Sequence, residues 1–138
     1  GHLMDLMATC VDLGGAKYPS ELDGQKILPM EGKSLAPAFR NDPIQRDFLA
    51  WEHEGNRAVR VGDWKLVASF RMEWELYDLS RDRSEIHNLA AQQPAKVQEL
   101  AAEWQRWADL VGVVPWEQLP GASYQPNATY RKKGEPIK

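Results

Sequence analysis

The chain has 138 residues, 43% of them hydrophobic, with a formal net charge of −3 and a single cysteine. That length suits one domain or a piece of a larger protein, and the mild negative charge argues against nucleic acid or an anionic membrane as a general partner. One cysteine excludes an internal disulfide and any CxxC metal site, and no apolar run approaches the roughly 18 residues that span a membrane. No basic region followed by an apolar one marks a signal peptide.

In His2–Leu13 the apolar residues Leu3, Leu6, Met7, Cys10 and Val11 recur at helical spacing, and Gly14-Gly15 supplies a stop. A helix starting so near residue 1 suggests a chain cut from something longer. Cys10 lies on the apolar stripe, which favours a buried position over a nucleophile. Residues 16–45 are punctuated by Pro19, Gly24, Pro29, Gly32, Pro37 and Pro43. They are expected to wrap irregularly over a neighbouring surface, with a short helical turn near Ser34–Phe39.

The stretch from Phe48 to Leu79 predicts a small antiparallel sheet. Trp64, Leu66, Ala68 and Phe70 alternate with Lys65, Val67 and Ser69, as in a strand with one buried face. Gly62-Asp63 predicts a II′ hairpin turn between Arg57–Val61 and Trp64–Phe70. Phe48–His53 and Trp74–Leu79 complete about four strands. Asp82-Arg83-Ser84-Glu85 fits a capping box ahead of Asn88-Leu89. Pro94 opens a helix in which Val97, Leu100, Ala101, Trp104, Trp107, Ala108 and Val111 form one apolar side, ending at Gly112. This helix is the expected cover of the sheet. The fold class is therefore α+β, with the sheet-plus-helix unit at 46–115, a helix and loop before it at 1–45, and an irregular tail at 116–138 carrying Arg131-Lys132-Lys133.

Few residues suggest chemistry. Glu52, His53 and Glu54 could form an acid/base or metal cluster, but adjacent residues of a strand point to opposite faces and converge only at a bend. Arg57, Arg60, Lys65 and Arg71 with Trp51, Trp64 and Trp74 could form a single-strand nucleic-acid face; the alternative is that the tryptophans are core and the cations ring the sheet. Asn127-Ala128-Thr129 matches a glycosylation sequon that chance produces often. No phosphate-binding glycine loop, HExxH or GxSxG is present, and His2, His53 and His87 are too scattered to suggest a zinc site. On the residues alone, a free-standing interaction module and a single-strand binder both stay open.

The order of the motifs adds a resemblance. Asp5-Leu6-Met7-Ala8-Thr9, then Gly14-Gly15-Ala16, then Glu31-Gly32-Lys33-Ser34-Leu35-Ala36-Pro37 resembles a run found in sulfatases. Trp51 to Val67 (WEHEGNRAVRVGDWKLV), Glu75-Leu76-Tyr77-Asp78-Leu79 and Asn88-Leu89-Ala90 resemble the C-terminal segment of bacterial arylsulfatases. The family pattern has Pro where Arg83 stands here. The resemblance covers residues 2 to about 116 and implies the C-terminal part of a sulfuric ester hydrolase. It further implies a formylglycine made from a C/S-x-P-x-R motif, and a calcium ion, both outside this sequence; Cys10, followed by Val-Asp-Leu-Gly, is not that motif. No catalytic residue, metal ligand or bound cofactor is then expected in this chain. Its partner is an N-terminal catalytic domain of the same protein, and in isolation a second copy is expected to cover the first helix. Neither nucleic acid nor membrane is expected as a partner. A bacterial parent fits a periplasmic, secreted or cytoplasmic location. The residues expected at the rim of the substrate pocket are Glu52, His53, Glu54 and Asn56, where strand gives way to loop.

Overall fold

The computed structural model describes residues 1–120. Helix α1 (Asp5–Leu13) leads into a two-stranded ribbon, β1 (Glu21–Leu22) with β2 (Gln25–Lys26), and a 3-10 turn at Ala36–Arg40. Strands β3 (Leu49–His53), β4 (Asn56–Val61), β5 (Trp64–Ala68) and β6 (Glu75–Asp78) then form an antiparallel sheet in sequence order. Helix α2 (Pro94–Val111) follows, closed by Gly112 at φ +71°. This is the α+β architecture expected from the sequence.

Register fixes which side chains share a face. Ala50, Val59, Leu66 and Leu76 pair across the four strands, and the last three are fully buried against Leu100, Trp104 and Ala108 of α2. Trp64 is half-buried and packs on the rim of this cluster. Trp104 donates its indole N–H to the carbonyl of Trp51 at 2.9 Å, so a buried polar atom is satisfied while its rings exclude water. The opposite face carries Trp51, Ala58 and Val67 in one row and Arg60, Lys65 and Tyr77 in another. The outer edge of β6 is engaged: the Leu76 N–H donates to Asn88 Oδ1 at 3.1 Å, and the Leu89 N–H donates to the Leu76 carbonyl at 2.8 Å.

The Gly62-Asp63 turn joins Val61 to Trp64 in register, and of its two residues only Gly62 has positive φ, as a II′ turn requires. Three local expectations are corrected. Residues 16–45 contain a tight hairpin: Asp23 and Gly24 both take positive φ, 51° and 77°, the I′ geometry. The capping box does not form. Asp82 Oδ2 accepts from the Ile86 and His87 N–H groups at 2.8 and 2.7 Å, while Glu85 takes φ +55° and pairs with Lys65 at 2.6 Å. Cys10 is exposed, not buried.

That last correction belongs to the whole of α1. Its buried residues are Asp5, Ala8 and Thr9, whereas Leu3, Leu6, Met7 and Leu13 are 78, 55, 57 and 65% exposed. The helical period is right, and the polar edge faces inward. Beyond α2, Trp116–Gln118 forms a 3-10 turn, and Glu117 lies 3.8 Å from Arg71. The sequon at Asn127 and the Arg131-Lys132-Lys133 run lie outside the described residues.

Candidate functional site

The four rim candidates sit at the tip joining β3 to β4. His53 pairs with Asn56, leaving Glu54-Gly55 as a two-residue turn with φ values of 53° and 79°. Both are in the left-handed region, the I′ geometry that matches strand twist. Glu54 is a non-glycine residue there, a conformation that costs about 1–2 kcal/mol. The surroundings enforce it. Glu52 Oε1 accepts the Gly55 N–H at 2.7 Å. Asn56 donates Nδ2 to the His53 carbonyl at 2.8 Å and accepts the Phe70 N–H on Oδ1 at 3.1 Å. Gly55 lies on the Phe70 ring so closely that a Cβ would fall 2.2 Å from it.

The candidates therefore divide. Glu52 and Asn56 spend their side chains holding the tip, while His53 and Glu54 are exposed and face outward from it. The bend brings Glu52 onto the turn's own N–H, and no acid/base cluster results. Arg71, in the neighbouring connection, holds φ +61° and places its guanidinium 4.9 Å from the Phe70 ring centroid. It adds a cation beside the tip that sequence reasoning considered only for nucleic acid. The tryptophans are occupied within the chain: Trp74 lies 6.0 Å from Trp104, Arg57 stacks 4.3 Å from Trp74, and the Trp51 N–H donates to His2 Nε2 at 2.9 Å. These rings do not form the stacking platform that a single-strand binder needs.

A second constellation explains the N-terminal motif. Asp5 is fully buried. Its Oδ2 accepts the His2 N–H at 2.6 Å, and its Oδ1 accepts the Lys33 N–H at 2.9 Å and a bond from Arg46 Nη2. Burial pushes the carboxyl pKa up, but the Lys33 and His2 N–H groups and the Arg46 side chain outweigh that and hold it below the usual aspartate value. One turn on, Thr9 Oγ1 donates to the Asp5 carbonyl at 2.7 Å and accepts the Leu35 N–H at 2.9 Å. Asp12 accepts from Ser34 Oγ at 2.6 Å. At Gly32 a Cβ would fall 2.1 Å from the Met4 carbonyl oxygen, so only glycine lets this loop lie on the helix. The Asp-x-x-x-Thr and Gly-Lys-Ser-Leu motifs are thus two halves of one polar clamp, which Arg46 closes. Sequence reasoning missed Arg46, because nothing local ties residue 46 to residue 5.

Neither constellation fits a metal or a formylglycine. Both Asp5 oxygens are occupied by N–H donors, and among the described residues no group of three or more His, Cys, Asp or Glu side chains converges. The sequence around Cys10 lacks the modification motif.

A four-stranded antiparallel sheet followed by one long helix matches the fold of sulfatase C-terminal domains. Over 83% of the chain it superposes on BT4656, solved in complex with D-glucosamine-2-N,6-O-disulfate, with a TM-score of 0.59 and 25% identity, covering 25% of that protein. The sequence profile described as N-sulphoglucosamine sulphohydrolase, C-terminal, matches residues 2–110, and the chain belongs to that family. It is 33% identical over 81% of its length to an uncharacterized sulfatase of Schizosaccharomyces pombe, and 28% identical over 88% to arylsulfatase K of Danio rerio. The chain spans 22% and 27% of the length of these two relatives.

Proposed function

We propose that this chain is the C-terminal part of a sulfuric ester hydrolase, that it packs on a catalytic domain through α1 and the 16–45 loop, and that the β3–β4 tip forms part of the substrate rim. In this reading residues 1–45 complete the large domain and 46–115 form the subdomain beside it. The observation that carries the proposal is the orientation of α1. Its polar edge is clamped to the rest of the chain, while Leu3, Leu6, Met7 and Leu13 face outward as one apolar stripe. A stripe of that size marks an interaction surface. The nucleophile and the calcium belong to the catalytic domain. On this side His53, Glu54 and Arg71 meet substrate, and Glu52 and Asn56 hold the tip. Sulfated saccharide is the substrate class, in keeping with the disulfated glucosamine bound by BT4656.

Three measurements test this. The DNA upstream of Gly1 encodes an in-frame C/S-x-P-x-R motif; its absence would overturn the assignment. Leu6→Glu with Met7→Glu leaves the melting of this chain, measured at a concentration where it is monomeric, within about 0.5 kcal/mol, as expected of exposed sites, but disrupts docking in the longer enzyme and lowers its aryl sulfate turnover. Unchanged turnover would remove the stripe from the interface. In isolation, a second copy covers the stripe, and light scattering at two concentrations reports dimer formation that the same double substitution abolishes.

A further inference from the structure

The end of the sheet away from the β3–β4 tip carries a second concavity. It has a volume of about 410 Å³ and is lined by Arg60, Asp63, Leu79, Ser80, Arg83 and Glu85. That is within the range of small-ligand sites. We propose that this cleft is an accessory binding site for an anionic sugar, with Arg60 and Arg83 taking its sulfate or carboxylate and Asp63 and Ser80 accepting its hydroxyls.

Four observations carry this. Among the described residues, neither Arg60 nor Arg83 has a carboxylate within ion-pair distance, and Arg60 is oriented only by donating Nε to the Gly62 carbonyl at 2.8 Å. Their guanidinium forks are therefore available to an oxyanion. Second, Glu85 is engaged by Lys65 at 2.6 Å. The lining carries two cations, Arg60 and Arg83, against two carboxylates, and since Glu85 is paired with Lys65 outside the lining, Asp63 is the carboxylate left facing the two guanidinium groups. Third, the walls are tied down. The Leu79 N–H donates to the Asp63 carbonyl at 2.8 Å, and Asp82 Oδ2 holds the Ile86 and His87 N–H groups. Glu85 keeps a left-handed backbone between those anchors. A pre-set cleft loses little freedom on binding. Fourth, the composition selects the ligand. Asp63 repels a bare dianion, but it suits a molecule that presents an anion on one side and hydroxyl groups on the other.

Arg60 and Asn56 lie on one strand, four residues apart, which separates cleft and tip by about 13 Å. A polymeric substrate could therefore touch both. That bridging role rests on the proposed sulfatase reading; binding at the cleft does not, and it is measurable on this chain alone. The test is a heteronuclear NMR titration of the full chain with galactose 6-sulfate, galactose and inorganic sulfate. Galactose 6-sulfate shifts the amides of Asp63, Ser80, Arg83 and Glu85 saturably, and galactose and sulfate bind more weakly. Arg60→Gln with Arg83→Gln weakens the sulfated sugar about tenfold, as expected for losing charge-assisted bonds, and preserves spectral dispersion. Shifts absent from the cleft, or undiminished in the double variant, would overturn the site. Equal binding of inorganic sulfate would overturn the sugar assignment.

Discussion

Two regions of this chain are held together by opposite means. From residue 46 to 115, apolar side chains face inward: ten of the eleven buried hydrophobic residues lie there. From residue 1 to 45 only Ala8 is a buried hydrophobic, and eight of the thirteen exposed large hydrophobics are found there. That region is held together by a buried carboxylate, a threonine and a serine instead, and the Arg46–Asp5 and Trp51–His2 bonds tie it to the rest. The difference lies in where each region puts its apolar surface. The sheet with α2 satisfies its own, whereas α1 is oriented by polar bonds with its apolar side exposed.

The largest expected effect tests the apolar half. Trp104→Ala removes the ring that packs on Trp74 and Trp107 and the indole N–H that donates to the Trp51 carbonyl. It should cost about 3–5 kcal/mol and unfold the sheet. Wild-type melting of that variant would show that the core does not depend on α2.

Asp5→Asn tests the polar half. Losing charge-assisted bonds should cost about 1.5–3 kcal/mol, confined to residues 1–45. Hydrogen exchange should quicken in α1 and at Lys33 and Leu35 while β4 and β5 stay protected; equal loss in both regions would erase the distinction. The pH dependence follows from the sign of the Asp5 shift. A folded pKa below the ordinary value of about 3.9 contributes stability that is fully present well above that pH. It is lost as pH falls through the depressed folded value, so acid should release α1 in the wild type and have less effect on α1 in Asp5→Asn.

Gly55→Ala sharpens the comparison at one point of the sheet. Its φ of 79° alone predicts a cost of about 1–2 kcal/mol, and the Phe70 ring must also move. Thermal melting checks the stability, and the Phe70 ring resonances report the displacement. An unshifted ring would mean the tip is looser than its hydrogen bonds imply.

Legibility followed the range of the interactions. The alternation in Trp64–Phe70 and the Gly62-Asp63 turn are local, and the structure has them. The Asp23-Gly24 hairpin is equally local, but its strands are two residues long and exposed, so no apolar alternation marks them. The Glu54-Gly55 turn was less visible, since Glu rarely takes positive φ and is held there by Glu52, Asn56 and Phe70. For α1 the period was legible but the inward side was not, because two of the three groups bonded to the Asp5 carboxylate lie 28 and 41 residues away. At the candidate site, sequence reasoning located the tip. It could not separate side chains that hold the tip from those that face outward.

The Asp5 clamp also has a consequence in time. The meander needs only contacts between neighbouring strands, so its loops close cheaply and early. The clamp must bring residue 46 back to residue 5, a longer closure with a larger entropic penalty than any between neighbouring strands. When the complete chain refolds, α1 is therefore secured after the meander. In refolding, Asp5→Asn should leave the rate at which the sheet forms unchanged and accelerate only the release of α1. Stopped-flow tryptophan fluorescence, with Trp51 beside His2 as the local reporter and Trp104 as the global one, separates the two events.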